Sequence, residues 1–230
     1  MSEETTKSFE DDQYLFIKEF IDPDLAKLIY TYTLFEEKFN SRLLDTQVPN
    51  THSVYGDHMM EALLEHTCLK MQDLTGEKLF PTNTYYRVYK QGDILKHHVD
   101  RASCEISATV CLGYDNTNLE EDYNWKLWVN NTSNGVRYAG DPEHDVGFEM
   151  KPGDAVVYEG TKLDHWRDKF KGTNHSQVFF HYIRQDGVFG KYGKYDCRPG
   201  LGYPESSQDP QLFQKIKELD KLEYEEIKNK

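Results

Sequence analysis

Residues 85–100 read YYRVYKQGDILKHHVD. An aromatic run that is typical of a β-strand leads into a turn at residues 91–93 and then into a short extended piece. That piece ends in His98-Val99-Asp100. Side chains of an extended segment alternate between two faces, so His98 and Asp100 share one face and Val99 lies on the other. An imidazole beside a carboxylate makes up two thirds of a metal site with two histidine ligands and one carboxylate ligand.

The segments around this stretch predict a mainly antiparallel β protein. Strands are predicted at 79–89, 94–100, 105–114, 125–129, 148–158 (two pieces around a tight turn at 151–154) and 176–184. They follow one another without helices between them, which is typical of an antiparallel sandwich or barrel. The last strand is apolar on both faces, and we therefore expect it at the centre of a sheet.

Helices are predicted outside this β region. The pattern gives a short strand at 14–21 and helices over 23–39, from Asp57 to Gly76, and from Asp209 onward. Residues 40–56 and 187–207 have the composition of loops. The apolar stripe of the last helix is narrow, so this helix either packs on the barrel or pairs with another chain. The expected division is a flexible leader (1–13), one domain (14–186, with its core at about 80–185) and a C-terminal extension with a terminal helix (187–230).

The composition indicates a folded, acidic, intracellular protein. Hydrophobic residues make up 37% and aromatic residues 13% of the chain, which is enough for a core. The net charge of -13 argues against a nucleic-acid partner. The four cysteines form no Cys-x-x-Cys pair and are expected to be thiols in a reducing compartment. We see no secretory signal and no run that could span a membrane, so a cytoplasmic location is expected.

His165 is the candidate for the third ligand. It lies in the sequence DHWR, after a turn and a strand and before the strong last strand, which can hold it rigidly. In a chain with nine histidines, about one His-x-Asp spacing arises by chance. The alternative interpretation of His98 and Asp100 is therefore a hydrogen bond between them at the surface, without a metal. Their combination with His165 favours the metal site. His97 faces away and is interpreted as structural, and His181 is interpreted as a core or channel residue.

In order and spacing, these parts resemble the 2-oxoglutarate- and Fe(II)-dependent dioxygenases, and most closely their prolyl 4-hydroxylase-like branch. The matching parts are YYRVYKQGDILKHHVDR, EISATVCLGYD, MKPGDAVVYEG and DHWRDKFKGTNHSQVFFHYI, within about residues 80–185. The resemblance implies a double-stranded β-helix (jelly-roll) core with flanking helices, and Fe(II) held by His98, Asp100 and His165. It implies 2-oxoglutarate and dioxygen as cosubstrates, release of succinate and CO2, and ascorbate as an optional accessory.

The resemblance also assigns residues to 2-oxoglutarate. Tyr89 matches a tyrosine that contacts 2-oxoglutarate in this branch. The family usually places a lysine or arginine nine or ten positions after the distal histidine, where this chain has Asn174 and His175. A histidine is only partly charged at neutral pH, whereas Arg167 shares a face with the distal histidine and its planar fork suits a carboxylate. Arg167 is therefore preferred, His175 is second and Arg87 third.

The function expected from this resemblance is hydroxylation of a C–H bond in a peptidyl proline or a related substrate, with a small molecule or a peptide as the partner. The branch commonly has paired glycines before its middle strand, where this chain has NWKLW at 124–128. That departure concerns the substrate side of the pocket. The alternative is a cupin-like barrel that holds a metal without catalysis. A third interpretation is a scaffold that forms homo-oligomers through its last helix.

Overall fold

The computed structural model describes residues 9–39, 47–49, 51–119 and 123–228. Within them, ten strands form two antiparallel sheets, one with the order β1-β8-β5-β10-β3-β2 and the other with the order β4-β9-β6-β7. The strands are β1 (Tyr14–Ile17), β2 (His52–Tyr55), β3 (Leu79–Lys90), β4 (Leu95–His98), β5 (Ile106–Asp115), β6 (Leu127–Asn130), β7 (Asp145–Phe148), β8 (Ala155–Glu159), β9 (Asp164–Arg167) and β10 (Asn174–Arg184). The helices are α1 (Phe9–Asp12), α2 (Pro23–Phe39), α3 (His58–Thr75), α4 (Gly190–Gly193) and α5 (Pro210–Lys228).

The larger sheet separates a helix-covered core from the interior of the barrel. Its outer face packs on α2 and α3, where Ile29 and Leu64 meet Val178 and Phe180 of β10. Its inner face looks toward the smaller sheet. β10 pairs with β5 on one side and with β3 on the other, which confirms its predicted central position. The two sheets form the expected jelly-roll core. Alternation along β10 places Val178 and Phe180 toward the helices, and Phe179 and His181 on the side of the interior.

Two capping residues delimit α3 as the sequence predicts. The Asp57 side chain accepts hydrogen bonds from the amides of Met59 and Met60, at 3.0 Å and 3.1 Å. At the other end Gly76 takes a left-handed φ of 74°, and its amide donates to the Gln72 carbonyl. The helix that carries much of the outer core is therefore fixed at both ends by local chemistry.

Several boundaries differ from the prediction. Residues 9–12 of the predicted leader form α1 with Phe9 buried, so flexibility is wrong there, and residues 1–8 lie outside the described residues. In the predicted loop at 40–56, residues 52–55 form β2, because they pair with the edge of β3; residues 40–46 and 50 lie outside the description. The strand predicted at 14–21 ends at Ile17, before Glu19 with its left-handed φ of 51°.

The described part of α5 packs on the barrel. Ile216 is 3% exposed and lies in one apolar cluster with Ile183 of β10 and Phe189. Leu212, Phe213 and Leu219 pack against the same cluster. The last helix was predicted either to pack on the barrel or to pair with another chain, and in the structure it packs on the barrel. Across the described residues, no helix combines the length and hydrophobicity that crossing a membrane needs.

Candidate metal and cosubstrate site

The structure brings His98, Asp100 and His165 together inside the jelly roll. β4 and β9 pair antiparallel with His98 directly opposite His165, and Asp100 follows two residues after His98. Asp100 Oδ1 lies 3.7 Å from His98 Nε2 and 3.6 Å from His165 Nε2. One ligand atom from each of the three residues therefore converges on a common point, with all three atoms within 4.8 Å of one another.

Backbone carbonyls orient both imidazoles. His98 Nδ1 lies 2.9 Å from the carbonyl oxygen of Lys96, and His165 Nδ1 lies 2.9 Å from that of Leu163. A carbonyl oxygen can only accept, so each Nδ1 carries the proton and each Nε2 presents a lone pair toward Asp100. That is the tautomer that a metal ligand requires, with the other ring nitrogen held by a backbone oxygen.

The protonation states of the cluster suit a divalent cation. Burial lowers the pKa of His98 to about 3, so this imidazole is neutral. Burial alone would raise the pKa of Asp100, but the neighbouring His165 outweighs it and holds that pKa below its usual value. Burial alone would lower the pKa of His165, yet Asp100 raises it. A bound cation would compete with protons for the nitrogen and oxygen atoms of this cluster.

A glycine allows the carboxylate to pack as it does. The Asp100 amide donates to the Gly160 carbonyl oxygen at 2.7 Å. A Cβ on Gly160 would lie 2.6 Å from Asp100 Oδ2 and would overlap the carbonyl oxygen of Cys104. No side chain fits between the turn after β8 and the carboxylate.

The triad lies at the wall of a cavity of about 380 Å³. The strands β3, β5, β8 and β10 supply one side of its wall: Asn83, Tyr85, Arg87, Thr109, Tyr158, Phe179 and His181. Its outer parts include Tyr55, Arg101, Arg137 and Glu205. A cavity of this size suits a small ligand or one side chain of a larger one.

Arg167 is a buried cation on β9, directly opposite Leu95 of the cavity wall. Its side chain is 0% exposed, its Nη1 donates to the Trp125 carbonyl oxygen at 2.7 Å, and its guanidinium lies 4.7 Å from the centre of the Trp125 ring. Its Nε and Nη2 have no hydrogen-bond partner among the described residues. Burial lowers its pKa to about 10, so it is still charged at neutral pH. A buried charge with two unpaired donors is costly unless an anion completes it.

His175 on β10 and Tyr89 on β3 are directly opposite each other, and both contact Trp125, as Arg167 does. His175 is stacked on Tyr114, and its Nε2 lies 3.0 Å from Gln177 Nε2. Burial, with the Arg167 charge in support, lowers its pKa well below the usual value, so His175 is neutral. Tyr89 meets Trp125 edge-on at 4.9 Å. The three residues chosen from the sequence for the cosubstrate are thus neighbours, with one cation among them.

The third candidate, Arg87, has other partners. It lines the cavity, but its Nη2 donates to Gln47 Oε1 at 2.6 Å and its Nη1 lies 3.4 Å from the Tyr89 hydroxyl. Its guanidinium lies 5.1 Å from the centre of the Tyr85 ring. Arg87 is therefore part of the cavity wall and is hydrogen-bonded to neighbouring side chains, which makes it less suited than Arg167 to bind a carboxylate.

The C-terminal extension builds part of the cavity wall, which the sequence did not indicate. Arg101 donates through Nη1 and Nη2 to the two carboxylate oxygens of buried Asp196, both at 2.7 Å. The hydroxyl of Tyr55 donates to Asp196 Oδ2 at 2.6 Å. Tyr195, Asp196 and Cys197 all have left-handed φ angles, of 55°, 58° and 63°. Such a run of non-glycine residues is strained, and its result is a carboxylate placed against the residue after Asp100.

Other residues around the site were also missed as functional candidates. Ser107 and Gln177 are fully buried with polar atoms directed into the barrel, and Tyr158 lies with its ring 4.7 Å from that of His165. A polar residue alternating with apolar ones on a predicted central strand could have pointed to Ser107 and Gln177. Nothing local in the sequence distinguishes Tyr158 from a core tyrosine.

Comparison with known proteins gives likeness of structure only. No protein-family model and no curated protein sequence matches the chain. A prolyl-4-hydroxylase from Pseudomonas putida is 13% identical with a TM-score of 0.58, over 76% of this chain and 95% of that one. The viral collagen prolyl hydroxylase of Paramecium Bursaria Chlorella virus-1, solved with 2-oxoglutarate, is 14% identical with a TM-score of 0.54, over 75% and 97%. HygX from Streptomyces hygroscopicus, solved with nickel and 2-oxoglutarate, is 11% identical with a TM-score of 0.55, over 77% and 85%.

These likenesses define the class of the fold. It is the jelly roll of the 2-oxoglutarate-dependent oxygenases, with prolyl 4-hydroxylases among the similar structures. This confirms the resemblance that the sequence motifs indicated. At these identities the shared property is the fold, and the chemistry has to be argued from the residues of this chain.

Proposed function

We propose that the chain is an Fe(II)- and 2-oxoglutarate-dependent dioxygenase that hydroxylates a C–H bond of its substrate. The observation that carries the proposal is the convergence of His98 Nε2, His165 Nε2 and Asp100 Oδ1 inside the jelly roll. Two imidazole nitrogens and one carboxylate oxygen, with the remaining positions open, are the donor set of non-haem Fe(II) oxygenases. The residues present therefore fit the metal.

The protein's part in this reaction is to hold and orient. Fe(II) held by the triad would supply the activation of dioxygen that is coupled to conversion of 2-oxoglutarate into succinate and CO2. His98 and His165 present neutral Nε2 atoms because their Nδ1–H groups are bound to backbone oxygens. Asp100 supplies the one negative charge. Buried aromatic side chains around the cavity keep bulk water from the reacting atoms, which strengthens each polar contact there.

Arg167 is the residue that we assign to the far carboxylate of 2-oxoglutarate. Its Nε and Nη2 form one edge of the guanidinium fork, and both lack partners among the described residues. A carboxylate bound to that edge would accept two parallel charge-assisted hydrogen bonds. Tyr89 lies beside it with a hydroxyl that can add a contact. His175 is less suited because it is neutral, and it serves as a wall of the same subsite.

For the substrate we propose a peptidyl proline or a related compound. Tyr55, Tyr85 and Phe179 line the cavity and offer aromatic faces against which a pyrrolidine ring can pack. Arg137 and Glu205, both exposed, lie where the rest of a peptide or small molecule would leave the cavity. The four cysteines are buried free thiols, which fits the reducing cytoplasm as the setting. Ascorbate as an accessory stays a prediction.

The test is an anaerobic titration followed by exposure to oxygen. Adding Fe(II) and 2-oxoglutarate to the purified protein should produce a weak visible charge-transfer band, and oxygen should then yield succinate. Asp100→Ala should abolish both signals. Asp24→Ala is the matched control, because its carboxylate lies on the surface of α2, where it pairs with Lys27 at 3.0 Å.

The same titration separates the enzyme from the cupin-like alternative. Protein that retains zinc and shows no band with Fe(II) and 2-oxoglutarate would be a metal-holding module. The proposal is wrong if iron-loaded protein neither binds nor consumes 2-oxoglutarate and Asp100→Ala leaves iron affinity unchanged.

A further inference from the structure

The two oxygens of Asp100 have different surroundings. Oδ1 faces the Nε2 atoms of His98 and His165. Oδ2 points the other way, where the hydroxyl of Ser107 donates to it at 2.8 Å. Ser107 lies on β5, is fully buried, and has the Cys104 carbonyl as a longer alternative acceptor at 3.2 Å. An ionised carboxylate at the shorter distance is the stronger acceptor. The Ser107 hydroxyl therefore donates its hydrogen bond to Asp100 and not to the Cys104 carbonyl.

Ser107 is in turn held by His181. The two residues are directly opposite each other where β10 pairs with β5, and His181 Nδ1 lies 3.0 Å from Ser107 Oγ. A serine hydroxyl has a single proton. Since that proton is used toward Asp100, His181 must donate from Nδ1 and Ser107 must accept. The hydrogen bonds therefore run in one direction, from His181 through Ser107 to Asp100 Oδ2.

We propose that His181 and Ser107 are positioning residues for the metal site, which hold Oδ2 so that Asp100 offers Oδ1 alone. This inference rests on the proposed function in so far as the triad binds a divalent cation. A carboxylate that turned to bind through both oxygens would occupy a second coordination position. With Oδ2 held, the three protein ligands fill three positions of an octahedral ion and leave three for other ligands.

The packing around Oδ2 is consistent with a single orientation of the carboxylate. A Cβ on Gly160 would lie 2.6 Å from Asp100 Oδ2 and 2.7 Å from Ser107 Oγ, so glycine is needed on that side. The Asp100 amide is bound to the Gly160 carbonyl, which fixes the backbone as well. Ser107 of β5 and the glycine after β8 thus surround Oδ2, and His181 of β10 holds Ser107 from behind.

The alternative is that Ser107 and His181 only satisfy each other as buried polar groups. We call the chain of hydrogen bonds from His181 through Ser107 to Asp100 Oδ2 the relay. If the relay positions Asp100, a substitution of His181 that keeps a donor to Ser107 should preserve metal binding, and one that loses the donor should not. In His181→Asn the side-chain amide nitrogen can stand near the position of Nδ1 and donate to Ser107. In His181→Gln the amide stands near the position of Nε2, and the donor to Ser107 is lost.

The experiment measures Co(II) binding by wild-type protein and by Ser107→Ala, His181→Asn and His181→Gln. The visible spectrum of Co(II) reports its coordination, and thermal melts of the metal-free proteins report folding. We expect the dissociation constant to rise about 10- to 100-fold in Ser107→Ala and His181→Gln, as is typical when a group that orients a metal ligand is removed. His181→Asn should stay within about threefold of wild type.

The outcomes distinguish a failure of the proposed function from a failure of the relay. If wild-type protein binds no Co(II), the proposed function fails. If wild-type protein binds Co(II) and all three variants bind it as tightly with the same spectrum, the relay is wrong and the proposed function stands. Equal losses in His181→Asn and His181→Gln also overturn the relay. Should Ser107→Ala not fold, the comparison of the two His181 variants decides the matter.

Discussion

Replacing Arg167 by methionine should have different effects on stability and on cosubstrate binding. Methionine is an unbranched, shorter side chain with no charge and no donors. In the protein without ligand, Arg167 is fully buried, and two of its nitrogens have no partner among the described residues. In the ligand-free protein, the substitution relieves the cost of burying these two donors. In the complex with 2-oxoglutarate, it removes the group that we assign to the cosubstrate's carboxylate.

The magnitudes follow from the contacts. Two buried unsatisfied donors cost about 1–3 kcal/mol each, against which stands the loss of one hydrogen bond to the Trp125 carbonyl, about 1.5–3 kcal/mol for a charged donor. The stacking on Trp125 is partly replaced by a sulfur–aromatic contact. Arg167→Met should therefore be no more than about 1 kcal/mol less stable than the wild type, and it can be more stable. Two lost charge-assisted hydrogen bonds cost at least about 3 kcal/mol, or about 100-fold in affinity for 2-oxoglutarate.

Arg184→Met is the matched control. Arg184 lies outside the cavity and pairs with Glu77 and Glu105, both at 2.9 Å, and with Glu159. Its removal takes the guanidinium away from the buried carboxylates of Glu105 and Glu159, which should destabilise the protein by about 3–5 kcal/mol without changing the affinity for 2-oxoglutarate. Urea unfolding measures stability, and anaerobic titration of the Fe(II) protein with 2-oxoglutarate measures affinity.

The reasoning is refuted if Arg167→Met binds 2-oxoglutarate within about threefold of the wild type, which corresponds to less than about 1 kcal/mol. It is also refuted if Arg167→Met loses as much stability as Arg184→Met, because Arg167 would then have a structural partner of its own. A large loss of affinity in His175→Phe, with Arg167→Met unaffected, would transfer the carboxylate to His175.

Two further predictions concern the surroundings of the metal residues. Gly160→Ala should lose Co(II) binding by at least about tenfold, because its Cβ would meet Asp100 Oδ2 and the Cys104 carbonyl, and calorimetric titration at equal folded fraction checks this. Burial would raise the pKa of Asp196, but the pairing with Arg101 outweighs it and lowers that pKa from 3.8 to about 2. The stability that Asp196 contributes is therefore present above about pH 4 and is lost, by about 2 kcal/mol, as the pH falls toward 2. Urea unfolding should show the difference between wild type and Asp196→Asn shrinking over that range, and a difference that is constant with pH would contradict the assignment.

Much of the fold followed from patterns that are local in the sequence. Asp57 and Gly76 bound α3 through hydrogen bonds to residues within four positions, so their signals need no tertiary information. The succession of strands without helices predicted an antiparallel sandwich or barrel, and the resemblance of the motifs implied the jelly roll. By contrast, the residues at 52–55 look like a loop, and they form a strand because the edge of β3 offers them hydrogen bonds. Propensity cannot report a partner that lies about 30 residues away in the chain.

The same division applies to the site. His98 and Asp100 share a face by alternation alone, and the order of motifs supplied His165. The relay through Ser107 and His181 depends on the register of β10 against β5, which the sequence does not state. The Asp196 carboxylate reaches Arg101 only because three residues in a row take left-handed angles, and nothing in their side chains favours that conformation.

The strained turn at 195–197 has a consequence for how such a protein can diversify. The wall that it supports comes from a segment after the last strand, whereas the metal residues lie on β4, on β9 and just beyond β4. The candidate metal ligands and this part of the cavity mouth are thereby encoded by separate stretches of the gene. A lineage could exchange the stretch that encodes this turn, and with it the shape of the cavity mouth, while inheriting the metal-binding strands unaltered.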